Sequence, residues 1–254
     1  MTMKKNAKLL LSLISAAVVS MTVVSCGNND DNAYYLYRYT AANALVTVKP
    51  VGTDSCYFQL DDNTTLNPVN IKGAIFDGKE VRALTNYSYM DSHTGNSRDV
   101  YVNWIDSIRT KSTVPTLGSL NDETYGSDPI EIVNDWVTIA EDGYLTLRFR
   151  TLSNRSGHVH YVNLVTGVDE NDPYTVELRH DAKGDVTGIE TDGIIAFNLG
   201  ALPDTDGEIV KLTLKWKSYS GDKSTTFDYC TGRSSGGNVA NVPIDVQSLS
   251  LNVD

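Results

Sequence analysis

The sequence predicts an all-β chain built from a small barrel followed by a β-sandwich. Three observations carry this: period-two alternation of apolar and polar residues, turn signals between the alternating runs, and one break that separates two strand-rich parts. Leu145, Leu147 and Phe149 alternate with Thr146, Arg148 and Arg150. Val210, Leu212, Leu214 and Trp216 alternate with Lys211, Thr213, Lys215 and Lys217. Phe58 and Leu60 flank Gln59, Val176 and Leu178 sit among Thr175, Glu177 and Arg179, and Val100, Val102 and Trp104 form a further stripe. In a strand successive side chains point to opposite faces, so each run describes a strand with one buried face. Asp77-Gly78, Glu141-Asp142-Gly143, Lys183-Gly184-Asp185 and Asp206-Gly207 supply the turns.

The break falls between Pro115 and Pro129. Thr116 to Glu123 could form a helical turn but has no apolar stripe. Upstream, about five strands fit a barrel of OB size. Downstream, about seven or eight short strands at even spacing fit a sandwich. This places the barrel at 34–115, a linker at 116–127 and the sandwich at 128–254. The 41% hydrophobic content is enough to build a core in each part.

The N-terminus has the form of an export signal. Lys4, Lys5 and Lys8 make a basic start, and Leu9 to Val24 is an uncharged apolar run too short for an ordinary membrane span. The run closes on Val23-Val24-Ser25-Cys26, the form of a lipobox, so residues 1–26 are expected to be a lipoprotein signal ending at a lipidated Cys26. Residues 27–33 then read as a polar tether. Several acyl chains, each methylene contributing about 0.8 kcal/mol, would make attachment effectively permanent. Removing the three lysines from 21 basic groups leaves 18 against 32 acids, a mature net charge of −14. A surface of that sign repels phosphate backbones, so nucleic acid is excluded as a partner.

No constellation of reactive residues rises above its structural alternative. His158-Val159-His160 would put two imidazoles on one strand face, yet no third metal ligand is identifiable. Asp204-Thr205-Asp206-Gly207-Glu208 and Asp169-Glu170-Asn171-Asp172 are oxygen-rich but lack the spacing and closing acid of a calcium loop. Gly232-Arg233-Ser234-Ser235-Gly236 matches the hydrolase elbow in letters, without the following helix that the elbow requires. Cys56 and Cys230 read as two buried or unpaired thiols. Tyr34, Tyr35, Tyr37 and Tyr39 read as a first strand packing on the barrel, with a recognition segment as the alternative. No catalytic, cofactor-binding or metal residue is therefore assigned.

Three segments resemble the NigD-like lipoproteins. They are Asp128-Pro129-Ile130-Glu131-Ile132 leading to Trp136, Asp142 to Phe149, and His160-Tyr161-Val162-Asn163-Leu164-Val165. Val100 to Ile108, followed by Leu117 and Asn121-Asp122-Glu123, is similar to the end of that family's first domain. The resemblance implies an N-terminal OB-like domain and a C-terminal immunoglobulin-like sandwich, and it brings no activity, cofactor or catalytic residue. The acidic tether after Cys26 resembles the surface-export signal of certain Gram-negative bacteria, and Asp106-Ser107-Ile108 resembles a short O-glycosylation acceptor. Together these predict an outer-membrane lipoprotein of a Gram-negative bacterium, exposed at the surface. Its expected role is non-catalytic binding of a protein, peptide or glycan, or structural support. The alternatives are an immunity or accessory lipoprotein and, less favoured, an envelope hydrolase.

Overall fold

The computed structural model describes residues 41–155, 157–233 and 244–254. Cys26, the tether, the four tyrosines at 34–39 and Ser234 lie outside the described residues. The described residues hold a closed five-stranded barrel and a two-sheet sandwich.

The barrel strands are β1 (Ala44–Val51), β2 (Ser55–Gln59), β3 (Thr65–Pro68), β4 (Val81–Thr94) and β5 (Ser97–Ser107). Their order around the barrel is β1-β2-β3-β5-β4, with β4 returning to β1. Only the β3–β5 pairing is parallel. Ala44, Val46 and Val48 of β1 point inward to meet Phe58, Leu66, Ala83, Val100 and Val102. The stripe Val100–Val102–Trp104 does not stay on one face. Asn86 pairs with Trp104 while Tyr87 pairs with Val102, so Asn103 is an extra residue in β5. Such a bulge shifts the alternation by one. Ile105 therefore joins the barrel core and Trp104 turns outward.

The sandwich is built from β6 (Arg109–Ser112), β7 (Val114–Pro115), β8 (Glu131–Ile132), β9 (Ile139–Glu141), β10 (Tyr144–Ser153), β11 (Tyr161–Thr166), β12 (Thr175–Asp181), β13 (Ile189–Asn198), β14 (Val210–Ser218) and β15 (Gly221–Tyr229). One sheet runs β6-β13-β10-β8, with β9 also on β10, and the other runs β15-β14-β12-β11-β7. Leu145, Leu147, Phe149, Val176, Leu178, Leu212, Leu214 and Trp216 fill the space between them, as their alternation predicts. Each fully buried chain of this size contributes about 1.5–3 kcal/mol. β6 and β7 lie within the range up to residue 115, yet they pair with sandwich strands β13 and β11. Only Ile108 separates the last barrel strand from the first sandwich strand. A short helix, α1 (Asn121–Tyr125), occupies part of 116–127.

The two units share a third apolar cluster. Leu45, Leu84, Trp104 and Ile108 from the barrel side meet Val137 and Ala196 of the sandwich, with Ala42 and Ile244. Beside it Arg82 and Glu141 form an ion pair, each side chain 1% exposed. Arg82 Nη1 also donates to Thr47 Oγ1 at 2.8 Å and its Nε to Thr146 Oγ1 at 3.3 Å. The outer face of β1 and β4 is thus covered by the sandwich, which explains why Leu45, Thr47, Arg82 and Leu84 are buried although they point out of the barrel.

Candidate functional site

With β1 and β4 covered, the open side of the barrel is the outer face of β2, β3 and β5. Phe58, Leu66 and Val100 point into the barrel, so their neighbours Tyr57, Asn67, Asp99 and Tyr101 point out. Lys49 pairs with Tyr57 across β1 and β2, and Asn67 pairs with Asp99 across β3 and β5. Asn67 Nδ2 donates to Asp99 Oδ1 at 2.7 Å, and Ser92 Oγ donates to Asp99 Oδ2 at 2.5 Å. These two bonds hold the Asp99 carboxyl below the usual carboxylate range. Tyr101 and Val69 are exposed near this row.

At the Lys49 end the row opens into a cleft of about 350 Å³ between the barrel and the sandwich. Gln59 at the end of β2 and Asp61, Asp62 and Asn63 of the following turn line it, and Asp142 and Arg233 line it from the sandwich. Asp142 stands there because β9 and β10 join through a two-residue turn, with φ of 48° at Asp142 and 80° at Gly143. Positive φ at both positions is the mark of the tight hairpin that Asp-Gly favours. Lys49 Nζ donates to Asp142 Oδ1 at 2.9 Å. Burial pulls the Lys49 ammonium down, but the Asp142 hydrogen bond and charge outweigh it and hold Lys49 above its ordinary value. The second carboxylate oxygen, Asp142 Oδ2, is buried and has no hydrogen-bond partner among the described residues. A buried acceptor without a donor costs about 1–3 kcal/mol. The sequence marked Asp142 only as a turn residue; its role at the cleft depends on contacts with Lys49, which is 93 positions away.

The sequence candidates are dispersed. His158 is exposed and lies outside any strand, whereas His160 is 0% exposed, so they do not share a strand face. Asp204 Oδ1 accepts from the Asp206 N–H and Asp169 Oδ1 from the Asn171 N–H, so these carboxylates cap turns. Among the described residues no group of three or more His, Cys, Asp or Glu side chains is placed to hold a metal. Cys56 lies in the barrel core and Cys230 near Thr205, both buried and neither in a disulfide. Ser107 is exposed at the end of β5. Ser153 and His158 line a pocket of about 150 Å³. The Ser153 hydroxyl donates to Asp185 at 2.7 Å and accepts from the Arg155 N–H at 3.0 Å, so its proton is committed to a carboxylate.

His160 instead pairs with His180. Their rings stack with centroids 5.1 Å apart, and His160 Nδ1 lies 2.9 Å from His180 Nε2. Burial, reinforced by His160, lowers His180 from 6.5 to about 4. The unfolded chain therefore takes up a proton below its ordinary value that the folded chain refuses. Stability contributed by this group is complete above about pH 6.5 and is lost as the pH falls towards 4, by about 3 kcal/mol. Urea melts at a series of pH values should show this loss in the native chain. They should show a smaller loss in a His180→Gln variant.

A closed β1-β2-β3-β5-β4 barrel fused to a two-sheet sandwich, with a polar cleft at the seam, defines a two-domain all-β protein. The chain belongs to the NigD-like family. Residues 45–108 match the NigD-like N-terminal OB domain, and residues 112–229 match the NigD-like C-terminal β-sandwich domain. A Parabacteroides distasonis structure described as toxin-related is 35% identical, with a TM-score of 0.64, over 74% of this chain and 92% of that one. A Bacteroides vulgatus protein of unknown function is 22% identical, with a TM-score of 0.62, over 85% and 100% of the two chains. A Bacteroides caccae structure described as a NigD-like immunity protein is 22% identical, with a TM-score of 0.56, over 76% and 98%. The last two likenesses speak to the fold alone. No curated protein matches the chain.

Proposed function

We propose that this chain is an envelope lipoprotein, anchored by lipid on Cys26, that acts as a non-catalytic binding module for a neutral glycan. The observation that carries the ligand reading is the polar cleft lined by Gln59, Asp61, Asn63 and Asp142 between the barrel and the sandwich. Sugars present many hydroxyl donors, and the cleft offers Gln59, Asn63, Asp61 and Asp142 to receive or return hydrogen bonds. Tyr57 and Tyr101 on the adjoining barrel face supply rings for a pyranose to lie against. The open faces of OB barrels are places where oligosaccharides and oligonucleotides dock, and a net charge of −14 disfavours the polyanion. A glycan array probed with the full chain should return neutral oligosaccharides; hits confined to sulfated or phosphorylated ligands would refute the reading.

The anchor rests on the run from Lys4 to Cys26. Among the described residues no helix is long and apolar enough to cross a membrane. A Cys26→Ser variant should therefore move from the membrane fraction to the soluble fraction. If it stayed with the membranes, another attachment would be needed. A second reading, protection of the envelope against an antagonistic factor, draws on the family likeness to the protein described as an immunity protein. It requires that a deletion strain become more sensitive to rival strains.

A further inference from the structure

The buried histidine pair continues into a chain of hydrogen bonds whose direction can be worked out. The Pro129 carbonyl can only accept, so the His180 Nδ1 that faces it at 3.3 Å carries a proton. With His180 neutral, its Nε2 is a lone pair and accepts from His160 Nδ1 at 2.9 Å. His160 thus has its first proton on Nδ1, and its Nε2 faces Asp185 Oδ2 at 3.3 Å. Asp185 is 1% exposed and already accepts the Asn154 N–H at 2.8 Å and the Ser153 hydroxyl at 2.7 Å. Two lone pairs facing each other in a dry site would repel; one more proton turns that contact into a charge-assisted hydrogen bond.

We infer that His160 is held as a buried imidazolium paired with the Asp185 carboxylate, and that this pair is a proton-dependent latch on one end of the sandwich. The Asn154 N–H, followed by Ser153 and His160, holds Asp185 below its ordinary value, which leaves the shared proton on the ring. The latch ties three pieces together. Asp185 fixes the turn after β12 to Ser153 and Asn154 at the end of β10. The His160 backbone binds the C-terminal segment, its N–H to Asn252 O and its carbonyl to the Asp254 N–H, both at 2.9 Å. The other charged groups around the cluster are otherwise engaged: Asp128 accepts from the Ala182 N–H, Asp181 pairs with Lys183, and Asp254 pairs with Arg109. The pair exists only while His160 keeps its second proton. At the acid end, protonation of His180 near 4 sets a second cation against it. The latch is closed only while His160 is charged and His180 is neutral.

The full chain has four histidines, so ring-nitrogen NMR of ¹⁵N-histidine-labelled protein resolves them. At about pH 7, where exposed imidazoles are mostly neutral, His160 should show both ring nitrogens protonated, and His180 should show the neutral Nδ1–H form. Asp185→Asn should return His160 to a neutral ring. On the unmodified chain, amide exchange at Asn154 and Asp185 should rise together with the loss of the His160 proton as the pH increases. A neutral His160 ring at about pH 7, or exchange at those amides that stays flat through its titration, would overturn the latch even if the Asp185 variant failed to fold.

Discussion

Replacing Arg82 with alanine is expected to destabilise the folded chain by about 3–5 kcal/mol, because it leaves Glu141 charged in a site closed to water. The guanidinium reaches three partners that belong to both units: Thr47 on β1, Glu141 on β9 and Thr146 on β10. Removing it takes a charged partner from a buried carboxylate and a donor from each of two hydroxyls. The pair itself need not add net stability, since the desolvation of two charges offsets their attraction. A double variant, Arg82→Met with Glu141→Leu, should therefore recover most of the loss. Urea unfolding of the two variants distinguishes these effects. A loss below about 1 kcal/mol for Arg82→Ala would mean that water reaches the site.

The second large effect is expected at Trp104, which the β5 bulge turns out of the barrel and into the seam. Its ring is 2% exposed and packs in the cluster that contains Leu45, Leu84, Val137 and Ala196. Trp104→Ala should cost about 3–5 kcal/mol. The loss should also appear as a change in cooperativity. The native chain should unfold in one transition because a buried apolar cluster and a buried ion pair join the two units, and the variant should separate into barrel and sandwich steps. Differential scanning calorimetry with paired tryptophan fluorescence would show this, and a single sharp transition in the variant would argue that the seam is not what joins the units.

The sequence was most legible where one face of a strand meets a core and the other meets solvent. The runs at 145–149 and 210–216 fall in that class, and their alternation gives the correct phase. Legibility failed where a strand is covered on both sides or changes phase. Nothing near Thr47 or Arg82 announces their burial, because it comes from sandwich residues some 59 to 64 positions beyond Arg82. Trp104 looked continuous with Val100 and Val102, since a one-residue bulge leaves no mark in the alternation. His158 and His160 had strand-face spacing, but the chain at 157–159 is not a strand. His180, which completes the buried pair, lies on a different strand and had no motif. The cleft was the least visible feature. It is assembled from two turns, and turn residues such as Asp61 and Asp142 carry the same letters whether they face water or a ligand.

Calorimetric titration of the full chain with a neutral oligosaccharide identified by the array, against the chain carrying Asp142→Asn, tests the glycan reading most directly. Asparagine tolerates the positive φ at this position and retains the side-chain shape while removing the charge. A hydrogen bond to a charged acceptor is worth about 1.5–3 kcal/mol. The variant should therefore bind more than about tenfold more weakly, while a control at the exposed Ile209 binds like the native chain. Equal affinity in the Asp142 variant would contradict the assignment of the cleft as the binding site.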